Sequence, residues 1–254
     1  MPAKDTYLGY LEEISQVVNF VEVGASLRPH LGKHLNWHGL GYLQTSVENF
    51  LGSDPVPDRA YQSLLVSCHA GFEQFIVDLA EDACRIINNL SLTSGEVESR
   101  FPGLIKKFRQ FSGLILASPA PKKYWNIDQE KLVLDLASTG ASSTCVNVLG
   151  RTFIVSVKSI NSETIIEFSD LFGVNFSWDS FAKFPGASEV LGSSGVRETS
   201  NLAKDLFDDL SSKRNMLAHS QGSLVIGLEF INNAIKFYSC LSEYLTSVFD
   251  EALS

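Results

Sequence analysis

The sequence predicts an all-α protein, a helical bundle organised on two long antiparallel helices. Segments 57–90 and 223–252 repeat apolar residues at three- and four-residue spacing, and 5–23 does so over a shorter length. A single stretch, 146–159, is rich in Val, Ile and Thr in the manner of strands. A small β-hairpin about Gly150 is therefore the one strand candidate. The 254 residues are 44% hydrophobic and 19% charged, which supplies a sizeable core and excludes a disordered chain.

The first helix, 5–23, aligns Tyr7, Leu11, Ile14, Val18 and Val21. The second opens at Pro57, a residue suited to a first helical position. Its stripe runs Tyr61, Leu64, Cys68, Phe72, Phe75, Leu79, Ala83, Ile86 and Leu90. Shorter helices fit 94–114, 128–137, 162–172 (closed by Gly173) and 200–218, while 184–195, with Pro-Gly and Gly-Ser-Ser-Gly, reads as a mobile loop. The last helix is expected to start at Ser223 as N-cap and to present Leu228, Ile231, Ile235, Tyr238, Leu241 and Leu245 along one side. Two helices of this length need each other or a partner chain to cover their apolar sides. Residues 1–56 are expected to be an N-terminal helical extension, and 57–254 the main helical domain.

Several function classes fall away. No window reaches the roughly 18 uninterrupted apolar residues of a membrane span, and the start lacks the basic and apolar blocks of a secretory signal. Four cysteines, Cys68, Cys84, Cys145 and Cys240, have no CxxC or zinc-like spacing. A reduced, cytoplasmic protein without a membrane partner is expected. The net charge of −9, from 20 basic and 29 acidic residues, opposes indiscriminate coating of nucleic acid but permits a local grip on a phosphate. P-loop, dinucleotide, nucleophile-elbow and metalloprotease signatures are absent. The pairs Glu81-Asp82 and Asp208-Asp209 are expected to be solvated helix-face charges.

His30, His34 and His38 recur at four-residue intervals, which would suit metal ligation on one helical face. Pro29, Gly32, Gly39 and Gly41 argue against a continuous helix there, so neither a metal nor a cofactor is expected. His69, beside Cys68 in the second long helix, reads as a satisfied core or groove histidine.

The remaining histidine, His219, lies in SSKRNMLAHSQGS (211–223), where Arg214, Asn215 and His219 form an R-N-x-x-x-H arrangement between two helices. At 100° per residue, Leu202, Leu206, Leu210 and Leu217 share an arc of about 80°. Arg214 falls between Leu210 and Phe207, at the edge of that arc and away from Asp205, Asp208 and Asp209. A charge bordering buried surface needs a partner: a carboxylate such as Glu73, a second chain, or a bound phosphate. Lys213, four residues after Asp209 near a helix end, is explained by a surface pair. Arg214 and His219 are separated by roughly 140° on a continuous helix. They converge only if the helix ends between them or two chains each contribute.

RNMLAH, followed by Gly222 and a long terminal helix, resembles the HEPN superfamily, in particular its RiboL-PSP-HEPN subgroup. GFEQFIVDLAEDA (71–83) is similar to that subgroup's first core helix, and INSETIIEFSDLFGV (160–174) to a segment ending in Phe-Gly. The glycine expected directly after the histidine stands at 222, behind Ser220 and Gln221. Another HEPN branch, paired with a nucleotidyltransferase antitoxin, carries a modified tyrosine where this chain has Gln221, which argues against that modification.

The resemblance implies an α-helical homodimer with two R-x4–6-H motifs facing one shared cleft. It also implies metal-independent endoribonuclease activity that leaves 2′,3′-cyclic phosphate ends, in a toxin or antiviral-defence effector. Arg214, Asn215 and His219 would be the catalytic residues, with Lys213 and Ser220 as RNA contacts. RNA, a second copy of the chain and an antitoxin or defence protein are the implied partners. The competing reading is a catalytically silent helical interaction or nucleotide-binding module, in which Arg214 is an anion clamp.

Overall fold

The computed structural model describes residues 1–34, 56–118, 127–140, 145–153, 155, 160–218 and 224–254. These form helices α1 (Pro2–His34), α2 (Val56–Asn89), α3 (Ser94–Arg100), α4 (Leu104–Ala117) and α5 (Gln129–Ser138). A 3-10 turn follows at Gly150–Phe153. The chain continues through α6 (Ser162–Leu171), α7 (Trp178–Phe181), α8 (Ala187–Leu191), α9 (Val196–Ala218) and α10 (Leu228–Leu253). The fold is all-α among the described residues.

Local chemistry sets most boundaries. Thr93 and Glu96 form a reciprocal capping box on α3. Asp128 and Asn161 each accept two backbone N–H groups at the starts of α5 and α6. The expected helix over 94–114 is two helices, because Pro102 carries no amide hydrogen and Gly103 takes a left-handed φ of 88°.

The second long helix, α2, is central. Leu65, Cys68, Phe72, Ile76, Leu79, Ala80 and Ala83 are all buried, so more than one side of it is covered. α1 lies antiparallel along it. Ala3 N donates to Asp82 at 3.1 Å, Tyr7 OH to the Cys68 carbonyl and Tyr10 OH to the Ser67 carbonyl at 3.2 Å each, and Tyr61 meets Glu22 at the other end. Tyr7, Leu11, Ile14 and Val18 enter the same core as α2 and α10.

The predicted antiparallel pairing of the two long helices is corrected. Gln62 meets the Leu224 carbonyl and His69 meets Tyr238, while Met1, antiparallel beside α2, reaches Asp250. Thus α2 and α10 run in the same sense, and α1 is antiparallel to both. The two long helices are far apart in sequence, so no short connection obliges them to reverse direction.

Four further expectations change. Residues 145–149 are irregular and 150–153 form the 3-10 turn, so no strand occurs in the described part of the proposed hairpin; 154 and 156–159 lie outside the described residues. The 184–195 segment contains α8, whose Ala187 is buried between left-handed Gly186 and Gly192. Helix α1 continues through Pro29 and Gly32 to His34, since one proline removes one helical bond without obliging the helix to end; His38 lies outside the described residues. Helix α10 begins at Leu228 with Gly227 as N-cap, and its expected cap Ser223 also lies outside them.

Three of the four acids in the pairs Glu81-Asp82 and Asp208-Asp209 tie elements together, while Asp209 stays on the surface of its own helix beside Lys213. Asp208 accepts from Ser162 N at 2.8 Å and from Ser162 Oγ at 2.7 Å, pinning the start of α6 to α9. Asp82 is buried against the start of α1 and also pairs with Arg85, and Glu81 lies 3.5 Å from Arg151.

Candidate functional site

The side chains that bury α9 are Ala203, Phe207, Leu210 and Ser211, with Thr199 and Ser200 earlier in the helix. Leu202 is 40% exposed and Met216 38%, so the helix is rotated from the arc that its leucines suggest. At 100° per residue the buried face is centred about 40° round from Leu210, and Arg214 lies at that centre. Shape explains the difference: Phe207 fills space among Phe72, Trp178, Phe237 and Tyr238 that no leucine of the expected arc occupies. The arginine therefore projects into the crossing of α2, α9 and α10.

Its partner is internal. Arg214 Nη2 donates to Glu73 Oε2 at 2.7 Å, and Nη1 donates to the neighbouring Asn215 Oδ1 at 2.9 Å. The side chains are 21% and 17% exposed for Arg214 and Glu73, so the pair is mostly shielded from water. Both groups remain underused: Arg214 Nε and Glu73 Oε1 are buried without a hydrogen-bond partner among the described residues. Burial pushes the Glu73 carboxyl above its ordinary range, and the guanidinium beside it works in the opposite direction.

One turn earlier on α2, His69 completes the group. Its Nδ1 lies 2.6 Å from Tyr238 OH on α10, and its Nε2 lies 3.7 Å from Glu73 Oε1. The ring is only 2% exposed, and burial, aided by the nearby Arg214 charge, lowers its pKa to about 4. At neutral pH His69 is therefore uncharged, and its approach to Glu73 is not an ion pair. Nδ1 accepts from Tyr238 OH, while Nε2 faces the carboxylate at a distance too long for a hydrogen bond. His69 is thus a core histidine anchored through one ring nitrogen.

Of the expected site residues, the structure brings Arg214 and Asn215 together at the end of α9. Lys213 turns elsewhere: it pairs with Asp209, and its ammonium lies 5.1 Å from the centre of the Phe230 ring. His219 and Ser220, together with Gln221 and Gly222, lie outside the described residues. Glu73 appears in the sequence only as one candidate carboxylate. The signal that singles it out is position, because it stands between Phe72 and Phe75 and one turn after His69. Tyr238 looks like any other apolar-stripe residue, and nothing in the sequence ties its hydroxyl to His69.

Among the described residues no group of three or more His, Cys, Asp or Glu side chains is arranged to hold a metal ion. None of the described helices is long and apolar enough to cross a membrane.

The chain matches a family model, RiboL-PSP-HEPN, over residues 43–252. That match takes in α2 to α10 and hence every residue of the group just described. No curated protein and no solved structure matches the chain.

Proposed function

The chain belongs to the RiboL-PSP-HEPN family, and on that premise we propose that it is a metal-independent endoribonuclease whose catalytic residues are Arg214, Asn215 and His219. The observation that carries this reading is the setting of Arg214. Within the matched domain, a guanidinium at the C-terminal end of α9 is held by Glu73 and Asn215, five residues before His219.

RNA cleavage by this route needs three things. The ribose 2′-oxygen attacks the phosphorus and loses its proton, the crowded phosphorane charge is stabilised, and the 5′-oxygen leaves with a proton. The products are a 2′,3′-cyclic phosphate and a 5′-hydroxyl. An imidazole titrating near neutrality suits the proton transfers at His219. The guanidinium fork of Arg214 suits the phosphate oxygens, and Asn215, bonded to Arg214 Nη1, keeps that fork oriented. Glu73 sets its position from the other side. Lys213 and Ser220 are the further RNA contacts of this reading. A homodimer that shares one cleft lets each chain contribute part of the constellation. A toxin or antiviral-defence effector, held in check by a partner protein in the cytoplasm, is the setting in which such an activity is useful.

The Arg214–Glu73 pair favours a second reading, in which the arginine is structural and the domain is a silent interaction module. Cleavage of total RNA and tRNA in EDTA separates the two, using wild type, His219→Ala and Arg214→Lys. Lysine preserves a charge opposite Glu73 but loses the planar fork. Cyclic-phosphate ends from wild type, with at least a hundredfold loss in both variants and unchanged thermal melting, is the expected result. Wild-type protein inert on every RNA class, or His219→Ala as active as wild type, overturns the ribonuclease reading.

A further inference from the structure

Uncovered apolar surface lies on both flanks of the 219–223 segment. Met216, in the last turn of α9, is 38% exposed, and Val225, just before α10, is 79% exposed. Phe230, in the first turn of α10, is half-buried: part of its side chain rests on the core and part stays open.

Phe230 departs from the pattern of its residue type in this chain. Phe72, Phe207, Phe237 and Phe249 are fully buried, each against other rings. Phe230 shares a side of α10 with Phe237, since seven residues turn a helix by only about 20° beyond two full turns. It stands two turns nearer the helix start, where the core gives out. Among the described residues it stacks on no other aromatic ring. Its neighbour is Lys213, whose ammonium lies 5.1 Å from the ring centre. Lys213 directly precedes Arg214 in α9, which puts the Phe230 ring at the margin of the Arg214–Asn215 group.

Charge contributes little to recognition on this flank. Lys213 is already paired with Asp209, Glu229 is exposed beside Phe230, and the chain carries a net −9. Release of counterions from phosphates is therefore a weak source of affinity here. An open aromatic ring supplies a different one, because every nucleobase has a π-face to lay on it. A base inside a duplex spends both faces on its own stack, so only an unpaired base is free to use the ring.

We propose that Phe230 is the stacking platform for one unpaired base next to the scissile phosphate, which selects single-stranded RNA as the substrate. Placing that base beside a scissile phosphate rests on the ribonuclease reading above. Phe230 holds the strand and takes no part in proton transfer.

A short fluorescein-labelled 2′-O-methyl RNA, which has no free 2′-hydroxyl to attack, reads binding by anisotropy with the full chain. Wild type is expected to bind the single strand and to bind the same sequence as a duplex at least tenfold more weakly. Phe230→Leu keeps apolar bulk but has no ring, and should weaken single-strand binding about tenfold with thermal melting unchanged. Phe230→Trp should bind at least as well as wild type. An abasic residue moved along the strand should cost wild type about tenfold at one position and cost Phe230→Leu nothing there. This scan on wild type keeps the test valid if Phe230→Leu unfolds. No single-strand binding up to 100 μM, no sensitive abasic position, Phe230→Leu binding like wild type, or a duplex bound as tightly would each overturn the proposal. Unmodified RNA separates the two readings. A single strand bound through Phe230 but left uncut refutes the ribonuclease and keeps the platform, whereas cleavage of dilute RNA as fast in Phe230→Leu as in wild type refutes the platform alone.

Discussion

Replacing Arg214 by methionine, Glu73 by glutamine, and both together forms a cycle that tests the central ion pair. At an effective dielectric of roughly 20 and a charge separation near 4 Å, the attraction is about 4 kcal/mol before desolvation is counted. Both side chains retain about a fifth of their exposure, 21% and 17%, so solvent screening reduces that figure substantially. The expected coupling is about 1–2 kcal/mol, above the 0.2–1 kcal/mol of exposed pairs and below the loss on breaking fully buried ones. Arg214→Met should be the more damaging single change, because it leaves the Glu73 carboxylate facing an uncharged His69 without its guanidinium partner. Glu73→Gln retains an amide oxygen for Arg214 Nη2. Urea unfolding at constant pH and constant protein concentration gives the four free energies. A coupling below about 0.5 kcal/mol, or Arg214→Met as stable as wild type, would refute the argument that the buried face of α9 obliges Arg214 to have an internal partner.

Two further outcomes follow from neighbouring features. His69 is held neutral with its pKa lowered to about 4, against an ordinary 6.5, so the unfolded chain binds more protons between those values and stability is lost as pH falls from about 6.5 towards 4. At about 1.4 kcal/mol per pH unit the loss reaches up to roughly 3 kcal/mol. The raised Glu73 carboxyl contributes with the opposite sign as pH rises past its ordinary range, and comparison with His69→Gln across pH 4–7 leaves the His69 part; parallel profiles would contradict the assignment. Gly150→Ala should cost about 1–3 kcal/mol, because the added carbon meets the backbone of α2 and not a movable side chain. Chemical denaturation showing no loss would mean that the 145–151 segment can retreat from α2.

The all-α class, the family and the positions of the main helices were legible in the chain because they rest on local chemistry. Apolar spacing marks α1, α2 and α10, and Asn161 and Asp128 cap helices close to where the pattern places them. Pro102–Gly103 was equally local, and it splits a helix that apolar spacing alone would join. Arg214 could be recognised as a charge in need of a partner, and Asn215, which it bonds, stands next to it in the sequence.

What the tertiary structure alone decided is which surfaces meet. The direction of α10 relative to α2 depends on how the intervening helices pack, and no periodicity encodes it. The buried face of α9 was chosen by Phe207 fitting among aromatic rings from α2, α7 and α10, which carried Arg214 from the edge of the apolar face to its centre. The identity of its partner followed from that rotation: Glu73 is 141 residues away in sequence and 2.7 Å away in space. Acids such as Asp82 and Asp208 look solvated along their own helices, yet they cap or anchor other elements. A sequence records each helix's preferences residue by residue, whereas pairing of charges buried between helices is settled only when the cores of those helices have been packed.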